Sequence, residues 1–244
     1  MSTKTNQPKS KPVTPVAPEV IDETIVDLEQ VTGGAVHWVE ANQKPILFGL
    51  IGLAALIGGY FWYNNYKSKQ NDKGYAAAVR AEQRFEQDSF AAALSNPGGG
   101  FSGLTDIASK FSGSNAGNAA QYQAAVSYLN LGKFDEAIKA MESFSANGEI
   151  APTMKNGILG DAWSEKKDFK KALSFYKQAG ASGGVDDLKA YYLKKAGLLS
   201  EVQKDYSGAV SIYKEIKNNY SATSDGNGID KFILRAEAAA SAKK

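Results

Sequence analysis

A continuous apolar run from Pro45 to Tyr63 is the strongest pattern in the chain. Its sequence, PILFGLIGLAALIGGYFWY, contains no charged residue over 19 positions. A helix of this length rises about 28 Å, close to the hydrocarbon thickness of a bilayer. A signal peptide is disfavoured because 44 residues precede the run and bulky aromatics stand where a small-residue cleavage motif is needed. The pattern predicts a retained transmembrane helix at 45–63, with a buried helix of a soluble protein as the alternative.

Three small residues of this segment share one face of the helix. Gly52, Ala55 and Gly59 are spaced i, i+3 and i+7. Small residues let a second helix approach closely in lipid, so this face is a candidate contact surface for a partner's span. Glycine and alanine are also common in membrane helices, so a plain anchor is the alternative.

The residues before the apolar run divide into two segments. Residues 1–18 contain four prolines with lysine, serine and threonine and predict a disordered tail. In residues 19–44, Ile21, Ile25 and Leu28 recur at helical spacing among acidic side chains. This pattern predicts an acidic amphipathic juxtamembrane helix that either docks on a membrane or partner or is simply solvated.

Downstream of the run, the apolar pattern changes to a repeat with equivalent alanines at steps of 35 and 37 residues. The copies share an early small residue, a turn aromatic, an alanine three residues later and a bulky residue four further on. These are Ala125, Phe134, Ala137 and Met141 in the first copy, Gly160, Phe169, Ala172 and Tyr176 in the second, and Gly197, Tyr206, Ala209 and Tyr213 in the third. Small residues suit helix crossings, and the larger residues are expected to fill the space between neighbouring repeats.

This period and these positions resemble the tetratricopeptide repeat (TPR), a pair of antiparallel helices. The family pattern also has a tryptophan near the start and a proline near the end. Here Gln121, Asn156 and Leu193 take the tryptophan position, and the terminal proline is missing or displaced. The chain is therefore predicted to carry divergent TPRs, with a generic array of helical hairpins as the alternative.

The predicted fold is all-α: one transmembrane helix, then an α-solenoid of about three to four divergent TPR hairpins with a C-terminal capping helix. Residues 64–117 are expected to hold a linker helix and a degenerate repeat, because Ser89–Ala93 imitates the turn-and-alanine signature. The three full repeats occupy 118–220. A loop and the capping helix occupy 221–244.

Charge and residue chemistry exclude several classes of function. The formal charge of +2 provides no concentrated basic face, so no nucleic-acid partner is expected. Cysteine is absent and His37 is the one histidine, which removes thiolate chemistry and most routes to general base catalysis. No nucleotide-binding, hydrolase or zinc-protease motif occurs. The prediction is a protein that is not an enzyme, with no catalytic residue, cofactor or metal site.

A peptide- or partner-binding groove is the predicted functional site. In the TPR class the first helix of each pair lines the binding face. The aligned positions there are Tyr122, Val126, Leu129, Met154, Asp161, Tyr191, Lys194 and Leu198. This surface lacks the basic cluster that clamps a C-terminal carboxylate in chaperone-adaptor TPR domains. The expected ligand is an extended or helical segment of apolar character.

Three stretches resemble a particular family, the single-span TPR ancillary subunits of the bacterial Sec translocon (YfgM-like), in a Bacteroidota-type form. They are NQKPILFGLIGLAALIGGYFWY, FEQDSFAAAL and LTDIASKFSGSNAGNAAQYQAAVSYLNLGKFDEAI. The similarity covers roughly 40–218. It implies an accessory subunit without catalysis that acts with a membrane-tethered periplasmic chaperone on translocated proteins.

The flanking lysines and the family resemblance predict opposite orientations of the chain in the membrane. Lys67, Lys69 and Lys73 follow the apolar run while Lys44 stands nearly alone before it, which favours a cytoplasmic C-terminal side. The resemblance implies the reverse, an inner-membrane protein with a cytoplasmic N-terminus and a periplasmic repeat domain. We adopt the latter, because a long domain can override a few charges. The alternative function is a structural scaffold in another envelope secretion or outer-membrane assembly complex.

Overall fold

The computed structural model describes residues 36–242. The predicted tail at 1–18 and the 19–35 part of the acidic helix, with Ile21, Ile25 and Leu28, lie outside the described residues. Residues 36–41 are helical. The elements that follow are α1 (Gln43–Glu86), α2 (Phe90–Ser95), α3 (Leu104–Lys110), α4 (Asn115–Asn130), α5 (Phe134–Ser143), α6 (Ala151–Glu165), α7 (Phe169–Ala181), α8 (Asp186–Val202), α9 (Tyr206–Asn219) and α10 (Asp230–Ser241). The all-α prediction is confirmed over 36–242, where no strand occurs.

Helix α1 runs without a break from the apolar segment into polar sequence. It contains a stretch of mean hydropathy 1.8, of which 0% is buried. By length and composition, this is the one helix between residues 36 and 242 that could cross a membrane. The chain divides into two compact units after Phe61, two residues before the apolar run ends.

Four helical hairpins in the second unit share one turn geometry. A residue with left-handed backbone stands two positions before the second helix of each hairpin: Asp88 (φ 54°), Gly132 (φ 71°), Lys167 (φ 62°) and Lys204 (φ 61°). The hairpins are therefore the C-terminal part of α1 with α2, α4 with α5, α6 with α7, and α8 with α9. Helix α3 separates the first two hairpins, and α10 packs on α9.

Each hairpin is closed by a small residue on its first helix. A Cβ added at Gly160 would lie 2.5 Å from ring carbon Cδ1 of Tyr176, and one added at Gly197 would overlap the ring of Tyr213. The aromatic of the second helix thus needs a glycine opposite it. Ala81 holds the same position in the first hairpin and is fully buried.

These contacts revise one expectation from the repeat pattern. The bulky residue was expected to fill space between repeats, but the rings of Tyr176 and Tyr213 pack first on the glycines of their own hairpins. Tyr176 also stacks on Tyr192 of the following hairpin, with ring centroids 6.2 Å apart. The reason is that a glycine leaves a depression in the first helix deep enough for a ring.

Three buried clusters follow one another along the hairpins. The first joins α1 to α4, the second α4 to α6, and the third α7 to α10. Tyr128 packs against the first and second clusters, and Trp163 against the second and third. Both stand three residues after the early small residue of their repeats. The core is thereby continuous from one hairpin to the next, as expected of a helical solenoid.

Replacing Gly197 with alanine tests the closure of a hairpin. The added methyl group overlaps the buried Tyr213 ring, so Gly197→Ala is expected to lower the free energy of unfolding by roughly 2 kcal/mol. The first full repeat pairs alanine with methionine at these positions, Ala125 with Met141. The double variant Gly197→Ala/Tyr213→Met should therefore lose about 1 kcal/mol less than the sum of its single variants.

Urea denaturation of the full chain in detergent, followed by circular dichroism, measures these differences. Gly183→Ala is the matched control, because its new Cβ would lie 3.4 Å from the nearest atom, the backbone oxygen of Glu149. Parent-like stability of Gly197→Ala would contradict the proposed close approach.

Candidate protein-binding face

The eight predicted groove residues lie on the first helices of the three full hairpins, and none is fully buried. Their distribution is Tyr122, Val126 and Leu129 on α4, Met154 and Asp161 on α6, and Tyr191, Lys194 and Leu198 on α8. We call these positions the first-helix face. Its most exposed large apolar groups are on α8, where Tyr191 is 43% and Leu198 37% exposed. Val202, one turn beyond Leu198, extends the apolar surface at 65% exposure.

On α4 the predicted residues have a mixed role. Tyr122, Val126 and Leu129 each pack partly against the second buried cluster. The ring of Tyr122 lies 5.7 Å from that of Phe144 in a tilted arrangement. These three side chains therefore contribute to the hairpin interior and leave only part of their surface for a ligand.

A cavity of about 640 Å³ brings two predicted residues, Leu129 and Asp161, together. Its remaining lining comes from Asn130, Gly132, Phe134, Ser164, Glu165, Tyr176 and Lys195. The wall therefore combines apolar, aromatic and charged groups, and it opens between consecutive hairpins. A side chain of a bound peptide could occupy such a space.

Asp161 is the centre of the polar contacts on this face. One of its carboxylate oxygens, Oδ1, accepts hydrogen bonds from the Tyr176 hydroxyl and from Nζ of Lys195, each at 2.7 Å. Nζ of Lys195 also lies 5.0 Å from the ring centroid of Tyr191. This arrangement joins α6, α7 and α8 and brings Lys195 against the ring of Tyr191.

Burial and the carboxylate of Asp161 together shift the pKa values of three neighbouring groups. It raises the pKa of Tyr192, and the negative charge of Asp161 raises it further. The pKa of Tyr176 is raised by burial first and then by the charge and hydrogen bond of Asp161. For Lys195 burial lowers the pKa, but the hydrogen bond and charge of Asp161 outweigh it, so the net pKa is raised. The phenols thus stay neutral and the lysine stays charged.

The other charged groups near the first-helix face of α8 are also paired. Lys194 lies 2.6 Å from Asp225 in the loop after α9. Arg235 on α10 contacts Glu201 at 2.7 Å. Because these charges already have partners within the chain, the exposed apolar side chains are the groups available to a ligand.

The sequence pattern placed Lys194 in the groove and missed its neighbour Lys195. Nothing in the repeat alignment distinguishes two adjacent lysines, because the choice depends on where Asp161 lies on the preceding hairpin. One signal was present: Tyr191 and Lys195 are four residues apart and so share a helix face. The lining residues Phe134 and Tyr176 were identified only as packing positions.

The chemistry of the face is that of binding. Between residues 36 and 242, no group of three or more His, Asp or Glu side chains is placed to hold a metal ion. The cavity contains paired charges, amides and apolar side chains. Such a surface can hold an apolar or aromatic segment and orient it through backbone hydrogen bonds.

Comparison with known proteins supports the repeat assignment. Residues 119–147 match the family model of the tetratricopeptide repeat. The match falls on the hairpin of α4 and α5, and it supports a TPR protein. TPRs are protein–protein interaction modules and are typically not catalytic. No curated protein gives a significant match to the chain.

Alkaline pH is expected to weaken the packing around Tyr192. In the unfolded chain the phenol of Tyr192 ionises with a pKa of about 10. In the folded chain its pKa is raised, so the phenol stays protonated to higher pH. The stabilisation is complete below about pH 10 and is lost as pH rises towards the folded pKa, at about 1.4 kcal/mol per pH unit. Tyr192→Phe should remove the part of this decrease in the free energy of unfolding that Tyr192 causes.

Urea denaturation of the full chain at several pH values above and below 10 measures that slope. The matched control is Tyr75→Phe, which removes a hydroxyl group from an exposed ring on α1 and is expected to retain the parent slope. An identical slope for Tyr192→Phe and the parent would reject the proposed effect.

Proposed function

We propose that this protein is a non-catalytic, membrane-tethered TPR adaptor, an accessory subunit of the Sec translocon that acts with a periplasmic chaperone on translocated proteins. The observation that carries this proposal is the continuity of α1, which joins an apolar segment without a buried residue to hairpins that include a TPR match. An apolar helix of this kind needs a nonpolar environment, and the hairpins provide a binding surface.

The anchor is supported by exposure as well as by length. Leu47, Phe48 and Leu56 are 56%, 71% and 73% exposed, so the apolar segment has no buried face among the described residues. Burying one such side chain is favourable by roughly 1.5–3 kcal/mol, and the segment carries many. Insertion in a bilayer would remove all of these apolar side chains from water at once.

The binding surface is supported by the first-helix face of α8. Tyr191, Leu198 and Val202 present an apolar strip while neighbouring charges are paired internally. Its ligand is an extended or helical segment with apolar side chains, such as an unfolded client or the tail of a partner subunit. Apolar recognition of this kind suits varied clients, because it does not require one arrangement of hydrogen bonds.

The choice of the Sec translocon rests on the resemblance of the three stretches around 42–63, 85–94 and 104–138. The same resemblance supports an inner-membrane location with a cytoplasmic N-terminus and a periplasmic repeat domain. The apolar segment would then contact translocon subunits in the bilayer, and the hairpins would meet the chaperone and clients outside it.

Gly52, Ala55 and Gly59 are the proposed contact in the bilayer. Apart from the adjacent backbone of α1 itself, a Cβ added at Gly52 or Gly59 would meet no atom within 4 Å. Packing among the described residues therefore does not require these glycines, unlike Gly160 and Gly197. An approaching partner helix supplies a physical reason for small residues at these positions.

Quantitative recovery of partners tests both surfaces. Tyr191→Ala/Leu198→Ala should reduce recovery of the chaperone roughly fivefold, as expected when central apolar contacts are truncated. Gly52→Leu/Gly59→Leu should instead reduce recovery of translocon subunits while the protein stays in the membrane. The measurement is affinity purification of the full chain from membranes in mild detergent, followed by quantitative mass spectrometry.

Val185→Ala is the matched control, because this exposed apolar residue lies in the loop before α8. It should leave both recoveries unchanged. Recovery of a different envelope assembly complex in place of the translocon would favour the scaffold alternative. Unchanged recovery in both test variants would reject the assigned surfaces.

The absence of cysteine permits a direct test of orientation. A single cysteine at exposed Lys177 on α7 is expected to react with a membrane-impermeant maleimide once the outer membrane is permeabilised. A cysteine replacing Ser10 should react only after the inner membrane is broken. The reverse labelling pattern would show that the flanking lysines, rather than the resemblance, predict the orientation.

A further inference from the structure

Three cavities in the second unit share Lys67 on α1. Their volumes are about 380, 170 and 340 Å³. The smallest is also lined by Lys110, Tyr63, Tyr66 and Ser114. No aspartate or glutamate lines any of the three. Over the part of the chain that the structure describes, neither Lys67 nor Lys110 forms an ion pair, in contrast to Lys194 and Lys195.

The walls of these cavities are held in place by close packing. Asn71 on α1 accepts a hydrogen bond from the backbone N–H of Ala116 at 2.9 Å. Three residues later, a Cβ added at Gly74 would lie 2.7 Å from the Cβ of Ala116. These contacts fix α1 against the start of α4. The two lysines are therefore presented by a formed surface.

Aromatic side chains adjoin the cavities on α1. Trp62, Tyr63 and Tyr66 are between 52% and 69% exposed. The rings of Trp62 and Tyr66 stack with centroids 5.9 Å apart. Tryptophan and tyrosine exposed in this way are typical of the headgroup level of a bilayer.

We propose that Lys67 and Lys110 form a binding site for the phosphate of an anionic phospholipid headgroup. This inference rests on the proposed membrane span of α1. The span ends at Tyr63, so Lys67 follows about 6 Å further along the helix axis. The headgroup layer on each side of a bilayer is about 5–8 Å deep. Under that span, Lys67 therefore lies at the depth of the lipid phosphates.

The composition of the site suits this ligand. Two lysines provide charge, and Ser112 and Gln70 provide hydrogen-bond donors around the smallest cavity. The lysines and the hydrogen-bond donors both attract a lipid phosphate that carries a net negative charge. A zwitterionic lipid also carries a cation, which the lysines repel. The site should consequently prefer phosphatidylglycerol over phosphatidylcholine, and the preference should weaken as salt increases.

Native mass spectrometry of the full-length protein in mild detergent tests the site. Phosphatidylglycerol and phosphatidylcholine are added separately, and the lipid-bound fraction is measured. Lys67→Gln/Lys110→Gln should lower phosphatidylglycerol affinity by roughly fivefold or more. The matched control Lys170→Gln/Lys177→Gln removes the same charge from exposed positions on α7 and should bind as the parent does.

Equal phosphatidylglycerol binding by the two double variants would overturn the proposal, and so would equal binding of the two lipids by the parent. Inorganic phosphate alone, at millimolar concentration, is expected not to bind. Its binding without retention of phosphatidylglycerol would assign the site to a free anion and overturn the lipid assignment.

Extraction of membranes with alkaline carbonate separates this inference from the proposed anchor. A protein released by carbonate is not anchored by α1, and the anchor proposal then fails. A protein that resists carbonate and yet binds phosphatidylglycerol equally with and without the two lysines would reject the headgroup site alone.

Discussion

The close approach of the two helices within each hairpin is the constraint on which the repeat domain depends. Gly160 and Gly197 leave depressions that the rings of Tyr176 and Tyr213 enter. Because the rings are buried, a side chain in place of either glycine must displace them or separate the helices. The helix separation in turn sets where the next hairpin packs. The position of the first-helix face therefore depends on how closely the two helices of each hairpin pack.

The architecture was largely predictable because its signals are local and periodic. Equivalent residues at steps of 35 and 37 mark crossings that recur in the three full hairpins. The turns were less predictable. Lys167 and Lys204 adopt the left-handed conformation that Gly132 adopts easily, against the preference of residues with a Cβ. Packing of the two helices imposes the turn, so residue type alone does not identify it.

For the first-helix face, the sequence indicates which helix carries each side chain but not which residues that side chain contacts. Placing Tyr191 or Leu198 on the exposed side of α8 needs only helical periodicity. The bond from Lys195 to Asp161 depends on the rotation between two hairpins, which the period of a repeat does not specify. The ion pair of Lys194 was equally unpredictable, because its partner Asp225 lies in a loop outside the repeats. Contacts within a repeat can be predicted from one copy, whereas contacts between repeats require the structure.

Lysines are paired with carboxylates at α8 but unpaired at the start of the domain, which favours apolar binding at the first surface and electrostatic binding at the second. At α8, Lys194 and Lys195 are held by carboxylates, so little net charge remains to attract a ligand and apolar contact must supply the affinity. At the start of the domain, Lys67 and Lys110 have no carboxylate in their cavities, so a field extends from that surface over about a Debye length, roughly 8 Å. A field of that range acts on a membrane surface only if the domain is held against it. Under the proposed span, Lys67 follows the membrane segment by only four residues, so at least one of the two lysines is held within that range by the helix itself.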